Sequence, residues 1–283
     1  VAGKRRGSDP GGRMPLRAHL LELRHRLFLA ALGLVLGAVV GWFLYEPMFE
    51  LLQQPLQDVA NERGSVVAIN FAGVATSFDM KIKVSLFLGV FLSSPWWLYQ
   101  LWAFVTPGLT RSERRYAVGF LAAAVPLFLA GAALAFWALP NAVRLLTEFT
   151  PEGATNLIDA QTYLSFVMRL LLAFGLAFLL PVLMVALNFA GVGRAETWRR
   201  GWRWAIVIAF TFSAVMTPTP DALTMIVVAA PICALYFVAL GVCELHDRRL
   251  DRRRAAAGLP RLDGTMPGPP PEPSPGAASE PRT

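Results

Sequence analysis

Few side chains in this sequence are suited to polar chemistry, and they gather at three places. The first is His19-Leu20-Leu21-Glu22-Leu23-Arg24-His25-Arg26-Leu27. Glu22 and Arg26 stand i,i+4 on one helical face, the spacing of a local ion pair. The segment reads either as an amphipathic entry to a helix or as a carboxylate offered to a basic partner. The second place runs from Ser94-Pro95 to Arg114-Arg115. Trp96, Trp97, Tyr99, Trp102 and Phe104 predict an aromatic belt at a membrane interface. Pro107-Gly108 predicts the end of that helix. Glu113 follows among arginines. It serves either the dipole of the next helix or recognition. The third place is Met216-Thr217-Pro218-Thr219-Pro220-Asp221, where Asp221 is spaced as an N-cap or first-turn acid.

Other chemistries find no support. No phosphate loop, dinucleotide fingerprint or zinc-protease pattern occurs. The two cysteines, Cys233 and Cys243, lack a CxxC spacing and read as small buried apolar residues. The three histidines are too scattered for a metal site. No nucleophile is paired with a base, so the expectation is a protein that is not an enzyme, with no cofactor and no metal.

The elements that must position these groups follow from composition. The chain has 283 residues, 55% hydrophobic and 16% charged, against about 25% charged in a soluble domain. The apolar residues lie in long runs, which points to an all-α integral membrane protein. Spans are expected at about 27–45, 84–104, 116–139, 163–189, 202–216 and 222–242. The run at 202–216 is short, which implies either a locally thinned bilayer or cover by neighbouring helices. Arg169 is the main ionisable residue inside a run, and such apolar spans disfavour a small-solute transporter.

The net charge of +7 would suggest nucleic acid in a soluble protein. Sorted along the chain, it does not. Most Lys and Arg fall in the N-terminal segment, the 105–115 and 190–203 connections and the C-terminal segment. That bias predicts both termini on the cytoplasmic side. Residues 46–80 form the longest outer loop, and Glu46, Met48, Phe49, Leu51, Leu52 and Leu56 predict an amphipathic segment on the membrane surface. The domain reading is a disordered basic segment at 1–14, a membrane domain at 15–246, and an Arg- and Pro-rich disordered tail at 247–283. The tail's arginines suit anionic lipid.

At these segments the sequence resembles the TatC family, the multi-spanning subunit of the twin-arginine protein translocase. The resemblance covers about residues 15–246. It rests on His19-Leu20-x-Glu22-Leu23-Arg24-x-Arg26-Leu27, on Pro55-Leu56 and Ser94-Pro95, and on Tyr99-Gln100-x-Trp102-x-Phe104-x-x-Pro107-Gly108-Leu109 with Glu113-Arg114. It continues with Tyr163-x-x-Phe166, Phe174-Gly175-x-x-Phe178 and Thr217-Pro218-x-Pro220-Asp221. The resemblance implies six helices in a concave, glove-like arrangement in the bacterial cytoplasmic membrane. It implies binding of twin-arginine signal peptides of folded precursors together with TatB, self-association in a hetero-oligomer, and recruitment of TatA for export driven by the protonmotive force. It assigns signal recognition to Glu22 and Glu113, with Arg24, Gln100 and Phe104 shaping the patch. Pro55, Asp221, Pro107 and Gly108 are implied in loop architecture or later translocation steps, and Met216 and Thr217 in partner contact. The family often has Glu or Gln where this chain has Leu179, a departure that bears on polar anchoring of a partner helix.

Overall fold

Apolar runs that cannot bond their backbone to water must close their hydrogen bonds internally, and here they do so as helices. The structure is a computed structural model. It describes residues 16–63, 67–71, 73, 75–105, 114–148, 156–189, 191, 193–216 and 222–260. In chain order the elements are α1 (Leu16–Phe43), α2 (Tyr45–Arg63), β1 (Val67–Asn70), α3 (Thr76–Leu92) and α4 (Ser94–Val105). They continue with α5 (Arg114–Glu148), β2 (Asn156–Asp159), α6 (Ala160–Phe189), α7 (Ala195–Arg200), α8 (Trp202–Met216) and α9 (Ala222–Ala256). Residues 1–14, read from sequence as a disordered segment, lie outside the described residues.

Among the described residues, four stretches are long and apolar enough to cross a membrane: Leu20–Phe43, Gly119–Asn141, Ala160–Phe189 and Met225–Ala256. A fifth is made by Thr76–Leu92 and Ser94–Phe104 together, bent by 59° at the break between them. The sequence predicted a span at 84–104. The helix instead starts at Thr76, because its first turns carry Asp79, Lys81 and Lys83 and fall below an apolar-run criterion. Lys83 pairs with Asp79 at 2.6 Å, and Lys81 sits over the Trp42 ring at 4.7 Å, so these charges are satisfied without leaving the helix. The break follows from Ser93-Ser94-Pro95. Pro95 has no N–H for the ladder, and the Ser93 hydroxyl donates to the Gly89 carbonyl at 2.6 Å.

Two helix pairs form the body. α1 crosses α3 where glycines remove the side chains. A Cβ on Gly89 would stand 2.8 Å from the Ala38 amide nitrogen and 2.8 Å from the Leu34 carbonyl oxygen. α5 packs along α6 through Phe128 and Phe174, both buried. Of the candidate spans, α6 is the most enclosed and α1 the least. Leu179 is buried in a cluster with Leu98, Ala124, Phe128 and Val182. A leucine suits that apolar setting.

At one end of the pairs, β1 and β2 form a parallel two-stranded ladder in the register Val67↔Asn156 to Asn70↔Asp159. The Asp159 carboxylate caps α6, accepting from the Thr162 amide and hydroxyl, both at 2.8 Å. The Gln161 amide donates to Asp79 at 3.2 Å, tying α6 to the first turn of α3. The expected amphipathic segment is α2, but its apolar face meets protein. Leu52, Leu56 and Val59 are buried in the main core with Tyr163 and Leu164. Pro55 sits inside α2 and is buried. It withdraws the N–H that would meet the Leu51 carbonyl, and at the adjacent Leu52 carbonyl Tyr163 Oη donates at 3.1 Å.

At the opposite end, α9 runs on to Ala256, ten residues past the boundary at 246 expected from the loss of apolar residues. The reason is a distant anchor. Asp247 accepts from the Ala195 amide at 2.8 Å and from Asn188 Nδ2 at 3.0 Å. Asn188 also donates to the Gly193 carbonyl at 2.9 Å. One carboxylate thereby joins α9, the end of α6 and the start of α7. Beyond it, Arg254 Nε donates to the Pro260 carbonyl at 2.9 Å.

Candidate functional site

The site is built where α4 returns alongside the first turns of α1. Three packing devices set the crossing. Trp96 Nε1 donates to the Leu29 carbonyl at 2.8 Å. Gly33 leaves room for the Trp96 indole, which a Cβ there would overlap. Trp97 turns the other way, donating to the Val90 carbonyl at 2.9 Å and meeting Phe128 edge-on. The aromatic belt expected from sequence is therefore divided. Trp96 and Tyr99 are exposed, whereas Trp102 is buried and stacked on Phe120 with ring centroids 4.6 Å apart.

The polar groups meet across this crossing. Arg26 Nη1 donates to Gln100 Oε1 at 3.1 Å, linking residues 74 apart in the chain. Its other terminal nitrogen, Nη2, lies 3.6 Å from Glu22 Oε1. Gln100 is only 3% exposed, while Glu22 and Arg26 retain partial access to solvent, with side chains 24% and 28% exposed. Arg26 Nε is buried and has no hydrogen-bond partner among the described residues. The guanidinium is thus held by its tip between a buried amide and a half-open carboxylate. Arg24 is exposed two residues away, and Phe104 is half-buried at the end of α4.

Of the residues the sequence placed in one patch, the structure brings together Glu22 and Gln100 through Arg26, with Arg24 and Phe104 on the same two helices. Glu113, Pro107 and Gly108 lie outside the described residues, as do Thr217 and Asp221. Met216 ends α8 and packs, half-buried, against the main core. Sequence reasoning identified the Glu22–Arg26 spacing but missed the link from Arg26 to α4. No local signal reports it, because it depends on how two helices cross. The Asp247–Asn188–Ala195 junction was missed for the same reason. No cluster of His, Cys, Asp or Glu able to hold a metal ion is found among the described residues.

The chain crosses the membrane repeatedly, with polar contacts at both ends of its helix pairs. The family "Sec-independent protein translocase protein (TatC)" matches residues 18–231. The chain belongs to the TatC family. A TatC from Xylanimonas cellulosilytica is 62% identical over 253 residues, covering 89% of this chain and 92% of that protein. A TatC from Rothia mucilaginosa is 38% identical over 253 residues, covering 89% and 86%. The fold agrees as well. A crystal structure described as the twin arginine translocase receptor TatC aligns with TM-score 0.65 at 32% identity, covering 80% of this chain and 98% of that one. A second, in the detergent DDM, aligns at 0.66 and 31%, covering 80% and 99%. The α1–α4 contact thus lies inside the region that this chain shares with the family.

Proposed function

We propose that this chain is the receptor and core subunit of a twin-arginine translocase. It binds twin-arginine signal peptides of folded precursors together with TatB, and recruits TatA for export driven by the protonmotive force. TatC proteins are non-catalytic, so function rests on recognition. The observation that carries the reading is the half-open Glu22 carboxylate beside the α1–α4 crossing in a chain of this family. A carboxylate receives a guanidinium through two parallel hydrogen bonds, and a second acid, Glu113, takes the second arginine. Arg24 and Phe104 border this patch, and Gln100, too deep to meet a peptide, acts on it through Arg26.

The distribution of arginines supports an orientation with both termini in the cytoplasm, which puts Glu22 and Glu113 on the side from which precursors arrive. In this reading α8 is a sixth, short span, and the helices form a concave, glove-like receptor in the bacterial cytoplasmic membrane. Met216 and Thr217, at the outer end of α8, contact the single-span partners. Pro55 shapes the outer loop through α2, and Pro107, Gly108 and Asp221 serve structural roles or later translocation steps. Photo-crosslinkers placed beside Glu22 and Glu113 test the assignment. They should react with a twin-arginine peptide and not with the same peptide carrying two lysines, since lysine cannot make the bidentate pair. Equal reaction with both peptides would overturn it.

A further inference from the structure

Arg26 poses a question that its own helix does not answer. An ordinary i,i+4 pair on an exposed helix face is loose at both ends. Here the guanidinium is anchored at one end by a buried amide, Gln100 Oε1 at 3.1 Å, and rests at the other against Glu22 Oε1 at the longer distance of 3.6 Å. Its Nε is buried without a partner among the described residues. An arginine held in this way presents to Glu22 what an incoming peptide arginine would present.

We propose that Arg26 is an internal stand-in for a ligand arginine, occupying the Glu22 carboxylate until a signal peptide displaces it. The inference rests on the reading of Glu22 as the recognition acid and adds a step to it. In the empty receptor Arg26 bridges Glu22 and Gln100. When a peptide guanidinium arrives, it takes Glu22 Oε1, the oxygen that Arg26 contacts less closely. Arg26 remains on Gln100, which keeps its charge hydrogen-bonded rather than stranded at a partly buried site. No covalent bond changes, and the exchange replaces one guanidinium by another. Two consequences follow. Recognition requires a group that can outcompete a resident guanidinium, so a single point charge such as lysine is rejected more strongly than it would be by an unoccupied carboxylate. Peptide affinity is also lower than the carboxylate alone could give, which favours release once the precursor is handed on.

The test measures the affinity of a fluorescent twin-arginine peptide for the full chain in nanodiscs with its single-span partner. The native receptor is compared with Arg26→Gln, Gln100→Leu, the double variant and Glu22→Gln. Releasing a half-exposed pair of this kind changes affinity by about two- to fivefold. Arg26→Gln should therefore tighten twin-arginine binding by about that factor, and should narrow the discrimination against a Lys-Lys peptide. Gln100→Leu should weaken binding in the native background and have no further effect in Arg26→Gln. Weaker binding in Arg26→Gln, or an additive effect of Gln100→Leu in the double variant, would overturn the stand-in role and make Arg26 a packing residue. Glu22→Gln separates the two layers. If it leaves binding unchanged, the recognition site itself is wrong. If it abolishes binding while Arg26→Gln weakens it, the site stands and the exchange does not.

Discussion

Replacing one hydrogen by a methyl group at Gly89 should disturb both the fold and the site. At this position α1 and α3 touch backbone to backbone. The new Cβ would lie 2.8 Å from the Ala38 nitrogen and from the Leu34 oxygen, and 3.1 Å from Ala38 Cα. Carbon contacts become favourable only at about 3.5 Å, so the helices must part locally by roughly 0.7 Å. Neither clashing atom belongs to a flexible side chain that could swing away. Overpacking of this kind costs about 1–3 kcal/mol. The displacement also reaches the site, because α1 carries Glu22 and Arg26 while α3 leads into α4, which carries Gln100. The Arg26–Gln100 hydrogen bond at 3.1 Å has little slack before it is lost. Purified Gly89→Ala should show a lower thermal unfolding midpoint, followed by tryptophan fluorescence, together with altered affinity for a twin-arginine peptide. Gly119→Ala and Gly241→Ala are the controls. A Cβ at either meets nothing within 4 Å, and alanine in a helix is favoured over glycine by up to about 1 kcal/mol. If Gly89→Ala proves as stable as Gly119→Ala, the close crossing of α1 and α3 is wrong, and so is the argument linking it to the site.

Two further outcomes are expected. Asp247→Ala strands the Ala195 amide and one donor of Asn188, groups otherwise satisfied at 2.8 and 3.0 Å. It should lower stability by about 1–3 kcal/mol for each group left buried and unpaired and should increase proteolysis between α6 and α8, whereas Asp247→Asn, which still accepts one bond, should lose less. The Asp159 carboxyl is held below its usual range, first by the Thr162 hydroxyl and then by the Thr162 amide. Its contribution is therefore fully present above the ordinary carboxylate pKa of about 4 and is lost as pH falls through the lower folded value. In an acid titration of thermal stability the native protein should lose this contribution below about pH 4, and Asp159→Ala should lack that part of the acid response.

The reach of the sequence divides along a physical line. Features set by neighbours within a turn were legible. The run from Trp202 to Met216 is α8 to the residue, because apolar side chains begin and end there sharply. The Glu22–Arg26 pair followed from i,i+4 spacing. Features set across the bundle were not legible. The family resemblance sets Gln100 in the patch, but its bond to Arg26 exists only once α4 folds back on α1. α2 reads as a membrane-surface helix because the sequence shows an apolar face and not what covers it, and here α3, α5 and Tyr163 cover it. The extension of α9 beyond residue 246 depends on an amide 52 residues away. No composition window contains both partners.

The ladder of β1 and β2 has a mechanical consequence. It ties the connection that follows α1 and α2 to the connection between α5 and α6, in a fixed four-residue register, and Gln161–Asp79 reinforces the same end. The α1–α3 and α5–α6 pairs are thereby clasped at one extremity, like two arms of a peg sharing a spring. Any spreading between them must pivot on this clasp and work against the α4–α5 seam, where Trp97 meets Phe128 and Trp102 stacks on Phe120.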